Sequence, residues 1–501
     1  MKKRTYGMLS GAALLLSTSV QADGVDDAAL ARLQAQVPDK VAALYHDYQL
    51  KGDILLAVID QRGLRYSFTY NALGSNAAVN GLTPTTPFLV ASHTKAFTGT
   101  LAQILAVEGE FDLEAPIADY LADYLRNDKV DPQAIKVTQL LNHTAGFTSV
   151  MHTFKSAFFG YADDAELIDA LNEDIRVAPA QVFRYSNTGP ILAAQAMASA
   201  TGKHWKVLLQ EKLFRPLAMQ NTSAKLSDYP AGTILPSIEV GKDGQILRIG
   251  LFKTDQTLHA SGGVVSTLED LSSWLAFNLR QGAELATDSG FFTPLHQATT
   301  TQDKTYFTYD RTGYSLAWDI AEYHGEPILT RFGGYAGNSF HASFLPEQSV
   351  AVIAFFNGQR GYLLPHLLAN FAYNLVITPT LAQPRFTEEM PLFAKSFARE
   401  QQHALDRARR VTVSQTWSQR LGHYRNHDGW PDLYLYNYDN QVWAQSGALS
   451  GPLYHEVGKT DSFVANFGSL RRPLTFTTAP SGAIRLLNGS LEYHKQENVK
   501  D

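Results

Sequence analysis

Residues 92–105 read Ser-His-Thr-Lys-Ala-Phe-Thr-Gly-Thr-Leu-Ala-Gln-Ile-Leu. Apolar side chains recur there at helical spacing, and this predicts a helix that Ser92 begins. Residues three apart share a helix face, so Lys95 lies beside Ser92 without help from the rest of the fold. A serine hydroxyl needs a neighbouring base to become a nucleophile, and Lys95 can serve only if burial or positive neighbours lower its pKa. Ser-x-x-Lys also arises by chance, as a helix cap followed by a surface lysine.

Further segments follow this motif in a fixed order along the chain. They are Leu140-Leu141-Asn142-His143-Thr144-Ala145-Gly146-Phe147, Tyr185-Ser186-Asn187, Pro216-Leu217-Ala218-Met219-Gln220-Asn221-Thr222, Gly262-Gly263-Val264-Val265-Ser266-Thr267 and Arg331-Phe332-Gly333-Gly334. Together with the first motif, the series resembles the serine β-lactamase and penicillin-recognising family over about residues 30–377. The class C-like branch is the most similar, and it includes D,D-peptidases, D-amino-acid peptidases and family VIII esterases.

The resemblance implies a role for each matched position. Ser92 is expected to be the nucleophile and Lys95 its base partner. Tyr185 would relay protons between nucleophile, leaving group and water, and Asn187 would hydrogen-bond Lys95 and the substrate amide. The backbone N–H groups of Ser92 and Gly334 would form the oxyanion hole, where negative charge develops. The class A deacylating glutamate and its Ser-Asp-Asn motif are missing, so deacylation should also depend on Tyr185 and Lys95.

The third motif departs from the family pattern, because Arg331-Phe332-Gly333 stands where many relatives have Lys-Thr-Gly or His-Thr-Gly. Arginine keeps a positive charge but does not deprotonate. We therefore expect Arg331 to line the cleft opposite Lys95 and Tyr185, to keep Lys95 neutral and to anchor an anionic group. Phe332 is expected to present an apolar face where relatives present a hydroxyl. This predicts weak recognition of β-lactam or D-Ala-D-Ala carboxylates.

Other catalytic chemistries have less support in the sequence. His93 and His143 suggest a Ser-His-Asp arrangement, but no Gly-x-Ser-x-Gly elbow accompanies them, and His143 is expected to hold the tight turn after it. There is no His-Glu-x-x-His motif and no cysteine, so the sequence predicts no metal and no cofactor.

The first residues resemble a secretory signal peptide. Lys2, Lys3 and Arg4 are followed by an apolar run at residues 8–16 and a small residue at Ala22. This predicts removal of residues 1–22 and a periplasmic or secreted protein. The alternative is a short membrane anchor, but the run is too short to span a bilayer.

The remaining chain predicts an α/β (α+β) protein with an antiparallel sheet flanked by helices and a helical subdomain. A hairpin is expected at residues 54–59 and 64–70, further strands at 314–320, 339–344 and 350–356, and a buried helix at 361–377. We expect a hydrolase domain at 23–377, a linker and helix at 378–414, and a small β-barrel-like domain at 415–501.

A formal net charge of −6 without a basic block gives no reason to expect nucleic acid or an anionic membrane as a partner. The expected partner is a small-molecule or peptide substrate, and the sequence leaves the oligomeric state open. The leading hypothesis is an exported serine hydrolase that cleaves an amide or ester, such as a D-amino-acid peptide or a small ester. A true β-lactamase and a non-catalytic binding or sensor protein are the alternatives.

Overall fold

A computed structural model describes most of the chain. The predicted signal peptide, residues 1–22, lies outside the described residues, which are 24–72, 81–161, 163–179, 181–244, 246–249, 253–285, 290–335, 337–467, 470–479 and 482–496. The helices are α1 (Asp27–Tyr48), α2 (Thr94–Val107), α3 (Ala118–Leu121), α4 (Val137–Leu141), α5 (Val150–Phe154), α6 (Asp164–Glu173), α7 (Thr188–Thr201), α8 (Trp205–Leu209), α9 (Leu268–Arg280), α10 (Thr293–His296), α11 (Leu364–Ile377), α12 (Ala382–Gln402) and α13 (Gln415–Arg420).

The strands form a large antiparallel sheet, three short pairs and a closed barrel. They are β1 (Ile54–Asp60), β2 (Gly63–Tyr70), β3 (Phe88–Leu89), β4 (Phe147–Thr148), β5 (Arg176–Val177), β6 (Ser237–Val240), β7 (Ile246–Ile249), β8 (Val265–Ser266), β9 (Thr300–Tyr306), β10 (Tyr309–Tyr314), β11 (Asp319–Tyr323), β12 (Glu326–Thr330), β13 (Gly333–Tyr335), β14 (Asn338–Leu345), β15 (Val350–Phe356), β16 (Gly422–Asn426), β17 (Leu433–Tyr438), β18 (Gln441–Ser446), β19 (Leu449–His455), β20 (Ser462–Phe467), β21 (Leu470–Thr478), β22 (Ile484–Asn488) and β23 (Leu491–Lys495). The large sheet has the order β2-β1-β15-β14-β12-β11-β10-β9, and β13 pairs with β14.

Strand β1 shows why the sheet carries helices on both faces. All seven of its residues are buried, and alternate side chains of a strand point to opposite faces. Leu55, Ala57 and Ile59 therefore belong to one core with α2, α7 and α9. Their neighbours Ile54, Leu56 and Val58 belong to a second core with α1, α11 and α12. The mixed α/β class and the hairpin of β1 with β2 are confirmed.

One strand prediction is wrong in detail. Residues 314–320 do not form one strand, because β10 ends at Tyr314 and β11 begins at Asp319. The Ser315 hydroxyl accepts hydrogen bonds from the backbone N–H groups of Ala317 and Trp318, which closes a turn there. The range 378–414, expected to be a linker and helix, contains α12, whose apolar face joins the second core through three aromatic side chains, Phe386, Phe393 and Phe397.

Strands β16 to β23 close into an eight-stranded barrel with its own apolar core. The barrel contacts the preceding part of the chain directly. Ala448 donates its N–H to the carbonyl oxygen of Phe158 at 2.5 Å. Asn466 Nδ2 donates to Glu239 Oε2 at 2.6 Å. Within the described ranges, none of the helices has the length and apolar character needed to cross a bilayer.

Candidate active site

Ser92 lies in a short 3-10 turn, Ala91–His93, between β3 and the buried helix α2. The residue before it, Ala91, has φ 47°, a left-handed conformation that is unfavourable for an alanine. Strained backbone of this kind persists where the surrounding structure enforces it, and it concentrates at functional sites. The turn places Ser92 at the N-terminal end of α2, where the helix dipole favours a developing negative charge.

Lys95 is buried and faces Ser92, as its spacing predicts. Its Nζ donates to Ser92 Oγ at 3.3 Å, to Asn187 Oδ1 at 2.7 Å and to the carbonyl oxygen of Ser261 at 2.7 Å. Burial, together with the charge of Arg331, lowers the pKa of Lys95 to about 8, although Tyr185 works in the opposite direction. A lysine in this state can release a proton near neutral pH.

Tyr185 approaches the same serine from the other side. Its hydroxyl donates to Ser92 Oγ at 3.0 Å and accepts from Arg331 Nη2 at 2.8 Å. Burial by itself raises the pKa of this phenol, but the charges of Arg331 and Lys95 and the hydrogen bonds outweigh burial and lower the pKa to about 8. Tyr185 as a whole is 46% exposed, so it borders the open side of the cleft.

Arg331 is a buried link in this network. It is only 3% exposed. Its Nε donates to the carbonyl oxygen of Ser92 at 3.1 Å, and its Nη1 lies 3.1 Å from Asp319 Oδ2. With Nη2 bound to Tyr185, each nitrogen of the guanidinium has a protein partner. Three of its five N–H donors are thus used within the protein. The role of Arg331 as an anchor for a substrate anion stays a prediction, whereas its predicted effect on the pKa of Lys95 agrees with the geometry.

Asp319 is a residue that the sequence did not single out. Its carboxylate, 3% exposed, pairs with Arg331 and also lies 3.6 Å from Arg311 Nη2. A buried charge needs such partners, and Asp319 in turn fixes the orientation of the guanidinium. The only sequence signal was a charged residue within a run that otherwise predicts a strand.

Phe332 does not face the cleft. It is 8% exposed and packs in the second core, with its ring centroid 4.7 Å from that of His341 and 4.3 Å from that of His366. The expectation that Phe332 replaces a cleft hydroxyl is therefore wrong. Arg331 and Phe332 lie between β12 and β13, and the N–H of Arg331 donates to the carbonyl oxygen of Ala342 in β14 at 2.8 Å. The segment thus continues along the sheet, and successive side chains point to opposite faces.

Gly333 and Gly334 bring β13 close to the serine. A Cβ on Gly333 would collide with the carbonyl oxygen of Val90, and one on Gly334 would collide with the hydroxyl of Tyr362. Only glycine allows this close approach of the backbone. The role of the Gly334 N–H in the oxyanion hole stays a prediction.

The two histidines near the motifs are not bases for Ser92. His93 Nδ1 lies 3.1 Å from the carbonyl oxygen of Arg331, and its Nε2 accepts from Trp274 Nε1 at 3.0 Å. Burial lowers the pKa of His93 to about 3. His143 has φ 65° in its turn and accepts from the N–H of Ser186 at 3.3 Å. In the described part of the chain, no cluster of three or more His, Cys, Asp or Glu residues is arranged to hold a metal ion.

Comparison with known proteins assigns the family. A family model described as Beta-lactamase matches residues 32–367, well over half of the chain. The unguisins hydrolase ungD' of Aspergillus campestris (strain IBT 28561) is 24% identical over 289 residues, covering 54% of this chain and 52% of that protein. Protein flp of Staphylococcus aureus (strain NCTC 8325 / PS 47) is 25% identical over 197 residues, covering 39% of each chain. The matches thus span about half or less of these relatives.

Solved structures share the fold. The octameric penicillin-binding protein homologue from Pyrococcus abyssi has a TM-score of 0.60 at 16% identity, covering 92% of this chain and 100% of that one. A D-stereospecific amidohydrolase from Streptomyces sp. has a TM-score of 0.52 at 21% identity, covering 70% and 98%. The chain belongs to the Beta-lactamase family, and its fold and relatives support a serine hydrolase.

Proposed function

We propose that this protein is an exported serine hydrolase that cleaves an amide or ester bond through an acyl-enzyme on Ser92. The observation that carries the proposal is the double contact of Ser92 Oγ with Lys95 Nζ at 3.3 Å and with Tyr185 Oη at 3.0 Å. Two groups with lowered pKa values on one hydroxyl form the arrangement that activates a serine. The signal-like N-terminal sequence supports export.

The proposed reaction moves one proton among three groups. In the reactive form the Lys95–Tyr185 pair lacks one proton, and it takes the Ser92 proton as Oγ attacks the carbonyl carbon. The N–H groups of Ser92 and Gly334 receive the developing oxyanion. Tyr185 then protonates the leaving nitrogen or oxygen, which departs and leaves the acyl-enzyme. Water attacks this ester and gives a proton to Tyr185. The bond between the acyl carbon and Ser92 Oγ then breaks, Tyr185 passes the proton to Oγ, and the carboxylic acid product leaves.

The third motif offers little that would bind the carboxylate of a β-lactam. Each nitrogen of the Arg331 guanidinium already has a protein partner, and Phe332 lies in the core. Three of the five N–H donors of Arg331 are therefore already occupied, and Phe332 offers no hydroxyl to a β-lactam carboxylate. We propose that D-amino-acid amides or small esters are better substrates than penicillins and cephalosporins.

Covalent labelling tests the nucleophile. A fluorophosphonate should add one label to the intact protein, located on Ser92 by peptide mass spectrometry, and Ser92→Ala should lose both label and turnover while keeping its melting temperature. Ser418→Ala is the matched control, because Ser418 lies in α13 and its hydroxyl donates to the carbonyl oxygen of Ser414. A label that persists in Ser92→Ala would refute the assignment.

A further inference from the structure

A cavity of about 540 Å³ begins beside the proposed oxyanion glycine. Gly334, which is exposed, lines it. Its near walls are aromatic and apolar, formed by Tyr306, Tyr335, Tyr362 and Leu363. The hydroxyl of Tyr362 reaches Gly334, and the backbone N–H of the same residue donates to Glu400, so Tyr362 connects Gly334 with the residues of α12. Tyr185 and Lys95 do not line the cavity.

The far end of the cavity is polar and comes from α12. Glu400 and Arg399 both line it, but they differ in how they are bound. Glu400 accepts hydrogen bonds from the N–H of Gly361 at 2.7 Å, the N–H of Tyr362 at 3.4 Å and the Ser396 hydroxyl at 2.9 Å. Its carboxylate is thereby used to hold the segment that carries Tyr362.

Arg399 is exposed, and within the described residues its guanidinium makes no hydrogen bond or ion pair. It also lines a second cavity of about 480 Å³ at the junction with the barrel, where Arg360, Arg471 and Arg472 are the other arginines. Arg360 donates to the carbonyl oxygens of Val240 and Gly241. Among the described residues, Arg399 is the arginine that lines both cavities, whereas Arg472 lines only the second and lies over the ring of Phe154.

The surrounding charges favour an anion. Four arginines line the second cavity in a chain whose net charge is −6, so their clustering does not reflect a generally basic surface. Two carboxylates lie nearby: Glu239 pairs with Arg471, and Glu400 is bound by neutral donors and keeps its charge. The four arginines outnumber these two acids, so the net local charge is positive. An arginine without a partner at the end of a groove is suited to a carboxylate, which its planar fork binds through two hydrogen bonds.

We propose that Arg399 binds a carboxylate on the acyl part of the substrate, at the end of the aromatic groove that starts at Gly334. This inference rests on the proposed function. We assign the groove to the acyl part of the substrate for two reasons. The leaving atom takes its proton from Tyr185, which does not line the groove, whereas the carbonyl oxygen of the acyl group would bind at Gly334, which does. The preferred substrates are acyl groups with an apolar spacer and a terminal carboxylate.

The experiment compares matched p-nitrophenyl esters, since the leaving group is then constant. One series carries a terminal carboxylate on acyl chains of four to eight carbons, and the other carries the methyl ester of the same chains. The measured quantity is the ratio of kcat/KM for the charged over the neutral ester at each length. We expect this ratio to exceed one and to peak at one length, and added salt should reduce it because an exposed cation is screened.

Variants on α12 identify the group responsible. Arg399→Gln should lower the ratio by about tenfold at the preferred length, the scale of one charge-assisted hydrogen bond, and Arg399→Glu should bring it below one. Lys395→Gln is the matched control, since it makes the same charge change one turn away and lines neither cavity. A ratio near one at all lengths, or one that survives Arg399→Gln, overturns the carboxylate subsite. Failure to hydrolyse either series, with Ser92 unlabelled, instead overturns the proposed function.

Discussion

Replacing Arg331 by glutamine tests how the catalytic pair acquires its reactivity. The substitution removes the guanidinium that donates to Tyr185 Oη at 2.8 Å and whose charge also lowers the pKa of Lys95. Arg331 contributes more than Lys95 to lowering the pKa of Tyr185 from 10.0 to about 8. Without it, the pKa values of both groups should rise, so fewer molecules have the reactive, singly deprotonated pair at neutral pH.

The size of the effect follows from the titration. With a pKa of about 8, roughly one tenth of the pair is deprotonated at pH 7, and each added unit of pKa reduces that fraction about tenfold. A complete return to 10.0 would cost about 100-fold. Tyr185 is 46% exposed, so solvent screening reduces the shift, and we expect about one unit and a tenfold loss of kcat/KM at pH 7. Activity should recover as the pH is raised.

The assay is kcat/KM for one neutral p-nitrophenyl ester from pH 6 to 10, corrected for spontaneous hydrolysis. The wild type should rise about tenfold per pH unit and level off near pH 8, because a base must be deprotonated. The profile of Arg331→Gln should level off at higher pH. Arg311→Gln is the control, since Arg311 pairs with the same Asp319. An equal loss at every pH in Arg331→Gln would mean that Arg331 only maintains structure, and the reasoning would be wrong.

Two further predictions concern the proton-transfer pair and a buried carboxyl. Lys95→Ala and Tyr185→Phe should each lower kcat by about 100-fold or more. The kcat of the double variant should be little lower than that of either single variant, because both groups act on one proton of Ser92. Losses that multiply in steady-state kinetics would contradict this. Glu389 is 2% exposed, and burial raises its pKa to about 7, above the unfolded value near 4.5. The contribution of Glu389 to stability is therefore complete below about pH 4.5 and is lost as the pH rises through 7. In urea unfolding, the free energy of unfolding of Glu389→Gln should increase relative to that of the wild type by up to about 3 kcal/mol between pH 5 and 8. A difference that does not change with pH would exclude this role.

The local features of the site were readable from the sequence because they depend on short-range geometry. Ser92 and Lys95 are three residues apart, so a helix brings them together wherever it lies in the fold. The hairpin of β1 and β2 and the helix α11 follow in the same way from apolar spacing and turn residues. The barrel-like end of the chain was likewise visible as short strands separated by turns, and the structure closes them into eight strands.

The tertiary structure alone decided which long-range neighbours each of these groups has. Arg331 and Phe332 are adjacent in sequence, yet Arg331 reaches Ser92 and Phe332 packs against His341. Only the position of β13 and its neighbouring strands determines which side chain points to the active site and which to the core. Asp319 carries no motif, and its importance comes from the two arginines that fold against it. Charge and burial act over distances in space, so the lowered pKa values of Lys95 and Tyr185 arise from residues more than ninety positions away in the chain, which spacing along a sequence does not encode.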